Sequence, residues 1–186
     1  MSTKFKLPTE TVVLPSKGLL YPEDSPLSKG ELEMKYMTAK EEDILTNSNY
    51  INNGTVIDKL LQSLIITENI NYDDLLIGDK NAIMVAARIL SYGKDYNIRY
   101  RGSDEVVDLS KLEERKVDIK KLEGGKNEFD YTMPTSKVNL TYKILNHADE
   151  KAIEEELAGL AKIDPEANDE VTTRLKFSIT SVEGSK

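Results

Sequence analysis

His147 is the sole histidine of the sequence, and it stands beside Asp149 and Glu150. An imidazole next to carboxylates can act as a general base or sense pH near neutrality. At the proposed start of a helix, the ordinary role of such a residue is a polar group in the first turn. Asp73 and Asp74 are adjacent, and paired acids can bind a divalent cation or share proton transfer. That work needs two carboxylates held across a cleft, whereas chain neighbours point apart, so Asn-Tyr-Asp-Asp reads as a solvated turn. Glu154, Glu155 and Glu156 fall on the outer arc of a helix, where Lys151 can pair with Glu155 at i+4. Arg88, Lys94, Arg99 and Arg101 form the only arginine-rich neighbourhood, interleaved with Tyr92, Tyr96 and Tyr100. Rings that stack on bases and cations that neutralise phosphates make up a nucleic-acid face. On a strand, however, alternate residues take opposite faces. The tyrosines are therefore expected to reach the core and the arginines to face outward, where they can meet an acidic protein partner.

The rest of the composition narrows the chemistry. The absence of cysteine excludes thiol catalysis, disulfides, thiolate zinc sites and iron–sulfur clusters together. A single histidine excludes multi-histidine metal sites and argues against a Ser-His-Asp device. Gly102 and the Gly124-Gly125 pair lack the glycine spacing of a phosphate-binding loop. The reading is a protein that is not an enzyme, with no catalytic residue, no metal, no cofactor and no small-molecule substrate. The 25 Lys and Arg against 33 Asp and Glu give a net charge of −8, which opposes counterion-releasing contact with nucleic acid. A nucleic-acid adaptor using Arg88, Arg99 and Arg101 stays open as an alternative. The longest apolar run, residues 83–87, is far short of the roughly 20 residues that span a bilayer, so no membrane partner is expected. The lysine-bearing N-terminus lacks the apolar stretch of a secretory signal, and the expected site of synthesis is a reducing cytoplasm.

The elements that position these groups follow from period and punctuation. Pro8, Pro15, Pro22 and Pro26, with Gly18 and Gly30, give residues 1–30 the character of an extended arm with tight turns and a short strand at 12–14. Residues 31–36 alternate, placing Leu32, Met34 and Tyr36 on one face of a half-buried strand. Thr38 and Glu41 have capping-box spacing before a helix at 40–46, and a polar loop follows at 47–54. Ile57, Leu60, Leu61, Leu64 and Ile65 make the apolar stripe of a second helix. A third, at 79–91, is apolar nearly all round, hence the most buried, and Gly93 is placed to end it in a left-handed position. The period then changes to 2 for a hairpin, with Tyr96, Ile98 and Tyr100 alternating before a turn at 101–104. The charged segment 110–125 has Val117, Ile119 and Leu122 as its apolar contacts. Strands at 129–133 and 138–144 precede a helix opened by Asn146 and Asp149, which carries Ile153, Leu157 and Leu160 and stops before Pro165. Residues 171–182 fit either a helix or a strand, and the helix is preferred. The class is α+β: a Pro-rich arm (1–30), then one body (31–186) with a helical part (about 37–93), a small antiparallel β-rich part (about 94–145) and C-terminal helices (about 147–184).

One series of blocks is more specific than any of these patterns. LPSKGLLYP at 14–22 leads into GELEMKYMTAKEEDILTN at 30–47, GTVIDKLLQSLI at 54–65 and LLIGDKNAIMVAARILSYGKDY at 75–96, with VTTRLKFSITSVEG at 171–184. This order resembles the baseplate hub/hub-assembly protein family of T-even-type contractile-tailed bacteriophages. Members of that family often carry a Cys-x-x-Cys pair after the Tyr-Gly of the third helix. Here the region reads YNIRYRGSDEVVDLSKL, so no zinc site carries over. Relatives also tend to continue beyond the final glycine.

The resemblance implies a structural subunit of the tail baseplate, assembled in the host bacterial cytoplasm and retained in the virion. It would act by docking to other tail and baseplate proteins. An assembly chaperone that leaves the finished tail is the alternative within the same resemblance. The residues expected to touch partners are Leu14, Pro15, Lys17, Gly18, Tyr21 and Pro22 of the arm, with Arg88, Arg99 and Arg101 of the basic neighbourhood.

Overall fold

Residues 8–113, 125–164, 166 and 168–185 of the 186-residue chain are described by a computed structural model. Strand β1 (Thr9–Val13) pairs antiparallel with β2 (Glu31–Lys35), with Val12 opposite Leu32. The alternation expected for β2 is present: Leu32 and Met34 are buried between exposed glutamates. The outer edge of β2 is also covered, because Met34 bridges Ile65 and the Ile66 N–H donates to the Glu33 carbonyl.

Residues 8–30 are not an arm lying free of the body. Leu14, Leu20, Tyr21 and Leu27 are buried in the central core with Leu32, Met34, Leu61, Leu64, Leu75 and Ile83. The prolines and glycines serve a compact looped segment instead of an extended one. A 3-10 turn (Pro26–Lys29), capped by Ser25 and ended by Gly30 at φ 72°, folds it back so that Leu14 N–H donates to the Gly30 carbonyl at 2.8 Å. The apolar residues between the turns obey no regular period, which is why their burial escapes a search for periods of 2 or 3.6.

Helix α1 (Ala39–Leu45) begins at Thr38 as the capping-box spacing predicts. Glu41 Oε2 accepts from the Thr38 N–H at 3.0 Å and the Thr38 hydroxyl at 2.6 Å. The segment expected as a polar loop contains a short helix, α2 (Ser48–Asn52), because the Asn47 side chain accepts from the N–H groups of Asn49 and Tyr50 and caps it. Helix α3 (Val56–Leu64) buries Leu60, Leu61 and Leu64 of the predicted stripe. Helix α4 (Ile77–Tyr92) buries only Asp79, Ile83 and Ala87, so it is not enclosed on all sides; Met84 is 41% exposed. Gly93 ends α4 with positive φ (82°), but its ψ of 172° sends the chain straight onward instead of closing a left-handed cap.

The expected hairpin forms from β3 (Asp95–Tyr100) and β4 (Ser103–Asp108), but its loop is only Arg101-Gly102, and Ser103 and Asp104, expected in the turn, already pair with Tyr100 and Arg99. Arg101 and Gly102 at its turn both have positive φ, as a two-residue hairpin loop matched to strand twist requires. The predicted facing fails. Tyr96 and Tyr100 are exposed: among the described residues no further strand joins this two-stranded ribbon, and Tyr96 is met only by Arg88 and the side of α4 at its foot. Strands β5 (Phe129–Thr132), β6 (Asn139–Tyr142) and β7 (Ile179–Val182) make a three-stranded antiparallel sheet, with β6 central. Helix α5 (His147–Ile163) starts in the predicted Asn146–Asp149 capping box. Residues 171–182 divide between the two readings: α6 (Glu170–Ser178) is followed directly by β7. Val117, Ile119, Leu122 and Pro165 lie outside the described residues. The class is α+β. No described helix is long and apolar enough to cross a membrane.

One buried carboxylate couples three of these elements. Glu41 is fully buried, and its Oε1 accepts from Lys35 Nζ of β2 at 2.7 Å and from the Ser63 hydroxyl of α3 at 2.6 Å. Burial favours the neutral form, but the bonds from Lys35, Ser63 and Thr38 outweigh it and hold the carboxyl at about 2, against an ordinary 4.5. With the folded value the lower one, the stabilisation is complete above 4.5 and is lost as pH falls from 4.5 towards 2. Urea titrations at pH 5.5 and pH 3 should show a steep loss of stability in the native protein. The loss should be visibly shallower in Glu41→Gln, which starts from a lower value at pH 5.5. Equal slopes in the two proteins would rule out this coupling.

Candidate functional site

Burial sorts the residues expected to touch partners. Leu14 and Tyr21 are core residues, at 0% and 4% exposure, and offer nothing to a neighbour. Gly18 is buried as well, whereas Pro15, Lys17 and Pro22 are exposed on the outside of the looped segment. The segment is fastened by Asp79 on the first turn of α4. Asp79 Oδ1 accepts from the Ser16 N–H at 2.9 Å, and Oδ2 accepts from the Ser16 hydroxyl at 2.7 Å and the Tyr21 hydroxyl at 2.6 Å. The Tyr21 oxygen in turn accepts from the Leu76 N–H at 3.0 Å. Burial, reinforced by the Asp79 charge, pushes the Tyr21 phenol far above its ordinary range, so it remains a donor. The buried polar atoms of this cluster are satisfied, and its work is structural.

A second polar cluster lies where α5 meets α3 and α4. Lys80 Nζ stands 3.0 Å from Asp58 Oδ1, 3.4 Å from Glu150 Oε2 and 3.1 Å from His147 Nδ1. His147 Nε2 is 3.6 Å from Asp58 Oδ2, and the Tyr72 hydroxyl donates to Asp58 Oδ1 at 3.0 Å. The Tyr72 and His147 rings meet edge to face at 4.8 Å. His147 is therefore a buried junction, where the sequence reading has a polar first-turn residue. With the ammonium of Lys80 against one ring nitrogen and a carboxylate against the other, the imidazole is oriented in place. Asp73 and Asp74 stand in the 3-10 turn Tyr72–Asp74, which Asn71 caps by accepting from the Asp73 N–H. That is the turn chemistry expected of them. No group of three or more potential metal ligands is found among the described residues.

The third place is an apolar groove of about 440 Å³. Leu60, Leu61 and Ala87 of α3 and α4 line it together with Met37, Leu45, Met84, Tyr92, Tyr96 and Leu109. Arg88 stands on the same wall. Its guanidinium lies 5.0 Å from the centroid of the Tyr92 ring and 5.6 Å from that of Tyr96, and Nη1 donates to the Gly93 carbonyl at 3.1 Å. Tyr92 is itself held by a hydrogen bond to Glu42 at 2.9 Å, which raises its phenol.

Arginine and tyrosine thus share a side at the foot of the hairpin instead of taking opposite faces, because Arg88 comes from the helix and not from the strand. Arg99 and Arg101 do not join it. Arg99 pairs across the hairpin with Asp104 at 3.9 Å, and Arg101 lies over Tyr100 at 5.2 Å. Tyr100 is four residues along β3 from Tyr96, roughly 13 Å at strand rise.

The groove escaped the sequence reading because its walls come from residues scattered between 37 and 109. The usable signal is Met84, an exposed apolar residue on the flank of the buried stripe of α4. A further apolar surface lies on the β5-β6-β7 sheet, where Phe129 faces Tyr142, and Tyr131 and Val182 both face Leu140. Tyr131, Tyr142 and Val182 are exposed there. Compared with family models, curated proteins and solved structures, the chain matches none of them.

Proposed function

We propose that this chain is a structural subunit of a contractile-tail baseplate, in the hub region, and that it acts by docking to other tail proteins during assembly. The observation that carries the reading joins sequence to structure. The blocks that resemble the hub/hub-assembly family supply every member of the central core cluster except Val12, Leu27 and Tyr72. The resemblance therefore coincides with a unit that folds together, and short matches scattered by chance over surface loops would not do so. Around that unit stand features suited to contact rather than to chemistry: a projecting hairpin, a groove with apolar walls, and a three-stranded sheet with an aromatic face.

The hairpin supports a protein partner over a nucleic acid. Its Arg99 is answered by Asp104, and Lys94 by Asp108 at 2.9 Å, so cations do not accumulate along it. The assembly-chaperone alternative predicts binding to incomplete hubs and release on maturation. The copy number of the chain in purified tails tests the proposal: a fixed small-integer stoichiometry is expected, and absence of the chain from finished tails overturns it.

A further inference from the structure

The groove beside α4 is lined mostly by apolar side chains, with Ser91 and two tyrosines among them and Arg88 the one charged residue. In a chain of net charge −8, this cation takes part in no ion pair among the described residues. The Tyr92 and Tyr96 rings and the Gly93 carbonyl hold its guanidinium in place. Among the described residues the Gly93 carbonyl is the one hydrogen-bond acceptor of its five donors, and the planar fork they form fits a carboxylate. The Glu42 carboxylate at this rim is engaged by the Tyr92 hydroxyl. Met84, Tyr92 and Tyr96 are each between 41% and 51% exposed, so apolar surface is left open beside the cation. Their combination of methionine and amphipathic rings is typical of surfaces that bury against a partner.

We propose that this groove seats an amphipathic helix of a partner protein, apolar along one face and carrying an Asp or Glu that pairs with Arg88. The charge of the guest follows from Arg88 being the one charged side chain in the groove's lining. Its helical form follows from the walls, which are mostly helix side chains and present little backbone for pairing. An extended guest would bury N–H and C=O groups without partners, whereas a helix satisfies its own. A volume of about 440 Å³ accommodates side chains presented at i, i+3 and i+4, and lies within the roughly 300–1,000 Å³ of ligand-sized clefts.

The inference rests on the docking role proposed above, and the experiment separates the two. A photo-reactive p-benzoylphenylalanine replaces Met84 in cells that assemble tails containing this chain. After irradiation, the adduct is mapped by mass spectrometry. The expected product joins the groove to one partner polypeptide, within a segment that spaces apolar residues at i, i+3 and i+4 around an acidic one. Arg88→Glu lowers its yield about tenfold or more, and changing the guest's acid to lysine in that background restores it. Circular dichroism melts check that Arg88→Glu stays folded, and Arg88→Gln is read in its place if it does not.

A cross-link to a second copy of this chain, to a small apolar acid or to a basic segment overturns the proposal. So does a cross-link that ignores Arg88→Glu, or no cross-link at all. Tails that contain the chain but give no Met84 adduct remove the groove assignment and leave the tail role standing. An adduct from a chain absent from finished tails does the reverse.

Discussion

Asp79→Ala is expected to lower stability by about 3–5 kcal/mol, because three buried or partly buried donors lose one shared acceptor at about 1–3 kcal/mol each. The carboxylate is 1% exposed and its three donors come from residues about 60 positions away. Truncation leaves the Tyr21 hydroxyl without its acceptor in a buried site, and the Ser16 N–H and hydroxyl without theirs in a partly buried one. Each unsatisfied group costs about 1–3 kcal/mol. Asp79 also sits in the first turn of α4, where a negative charge is favoured by the helix dipole.

For a chain of this size about 1 kcal/mol moves the melting temperature by roughly 2–4 °C, so a fall of about 10 °C is the expected readout. Asp79→Asn should lie between, because its oxygen still accepts from the Ser16 N–H. Tyr21→Phe should be strongly non-additive with Asp79→Ala, since the two substitutions remove the same bond. A melting point within 2 °C of the native protein, or additive effects in the double mutant, would contradict this account of how residues 14–30 are held.

Gly18→Ala is expected to be comparably damaging, for a reason confined to the backbone. Gly18 has φ 76°, where a Cβ costs roughly 1–2 kcal/mol in any surroundings. Here an added Cβ would also stand 2.2 Å from the Ser28 carbonyl oxygen and 2.6 Å from the Gly30 nitrogen. Neither can retreat easily. Gly30 donates to Leu27 and accepts from Leu14, and its own Cα side faces Lys17 so closely that a Cβ there would lie 2.6 Å from the Lys17 carbonyl. The two glycines let two strands of the looped segment touch backbone to backbone.

Gly54→Ala is the matched control. Its φ is 69°, but an added Cβ meets nothing within 4 Å, so only the conformational cost of about 1–2 kcal/mol applies. Chemical denaturation of the two variants should separate them by at least about 2 kcal/mol, in the range for strain added to a packed site. Equal losses would mean that the close approach at Gly18 relaxes freely.

These two sites also mark where the sequence is legible and where it is not. Elements whose signal is local are readable in advance. The alternation of Leu32 and Met34, the capping boxes at Thr38 and Asn146 and the stripe on α3 appear where their residues predict, and the hairpin turn falls within 101–104 but is shorter than expected. Gly18 and Gly30 are legible as turn formers, but nothing nearby in sequence says that they press on each other. Asp79 looks like an ordinary acid at a helix start, since Ser16 and Tyr21 lie far upstream. His147 is likewise recognisable as a first-turn residue, while its burial depends on Asp58 and Lys80.

Facing on the hairpin is misread for a different reason. Period 2 separates two faces but does not say which, if either, will be covered. The candidate site is the least legible part. Arg88 stands out by composition, yet only the fold shows that it edges an apolar groove while Arg99 and Arg101 lie towards the hairpin tip.

The docking role itself is tested most directly by counting the chain in the finished assembly. Tails assembled with this chain, purified through a density gradient and quantified by mass spectrometry against isotope-labelled peptides, give the number of copies per tail. A structural subunit of the hub is predicted to be present at a constant small integer that survives high-salt washing. A chain that is undetectable in finished tails, or whose copy number falls continuously with washing, would contradict the account.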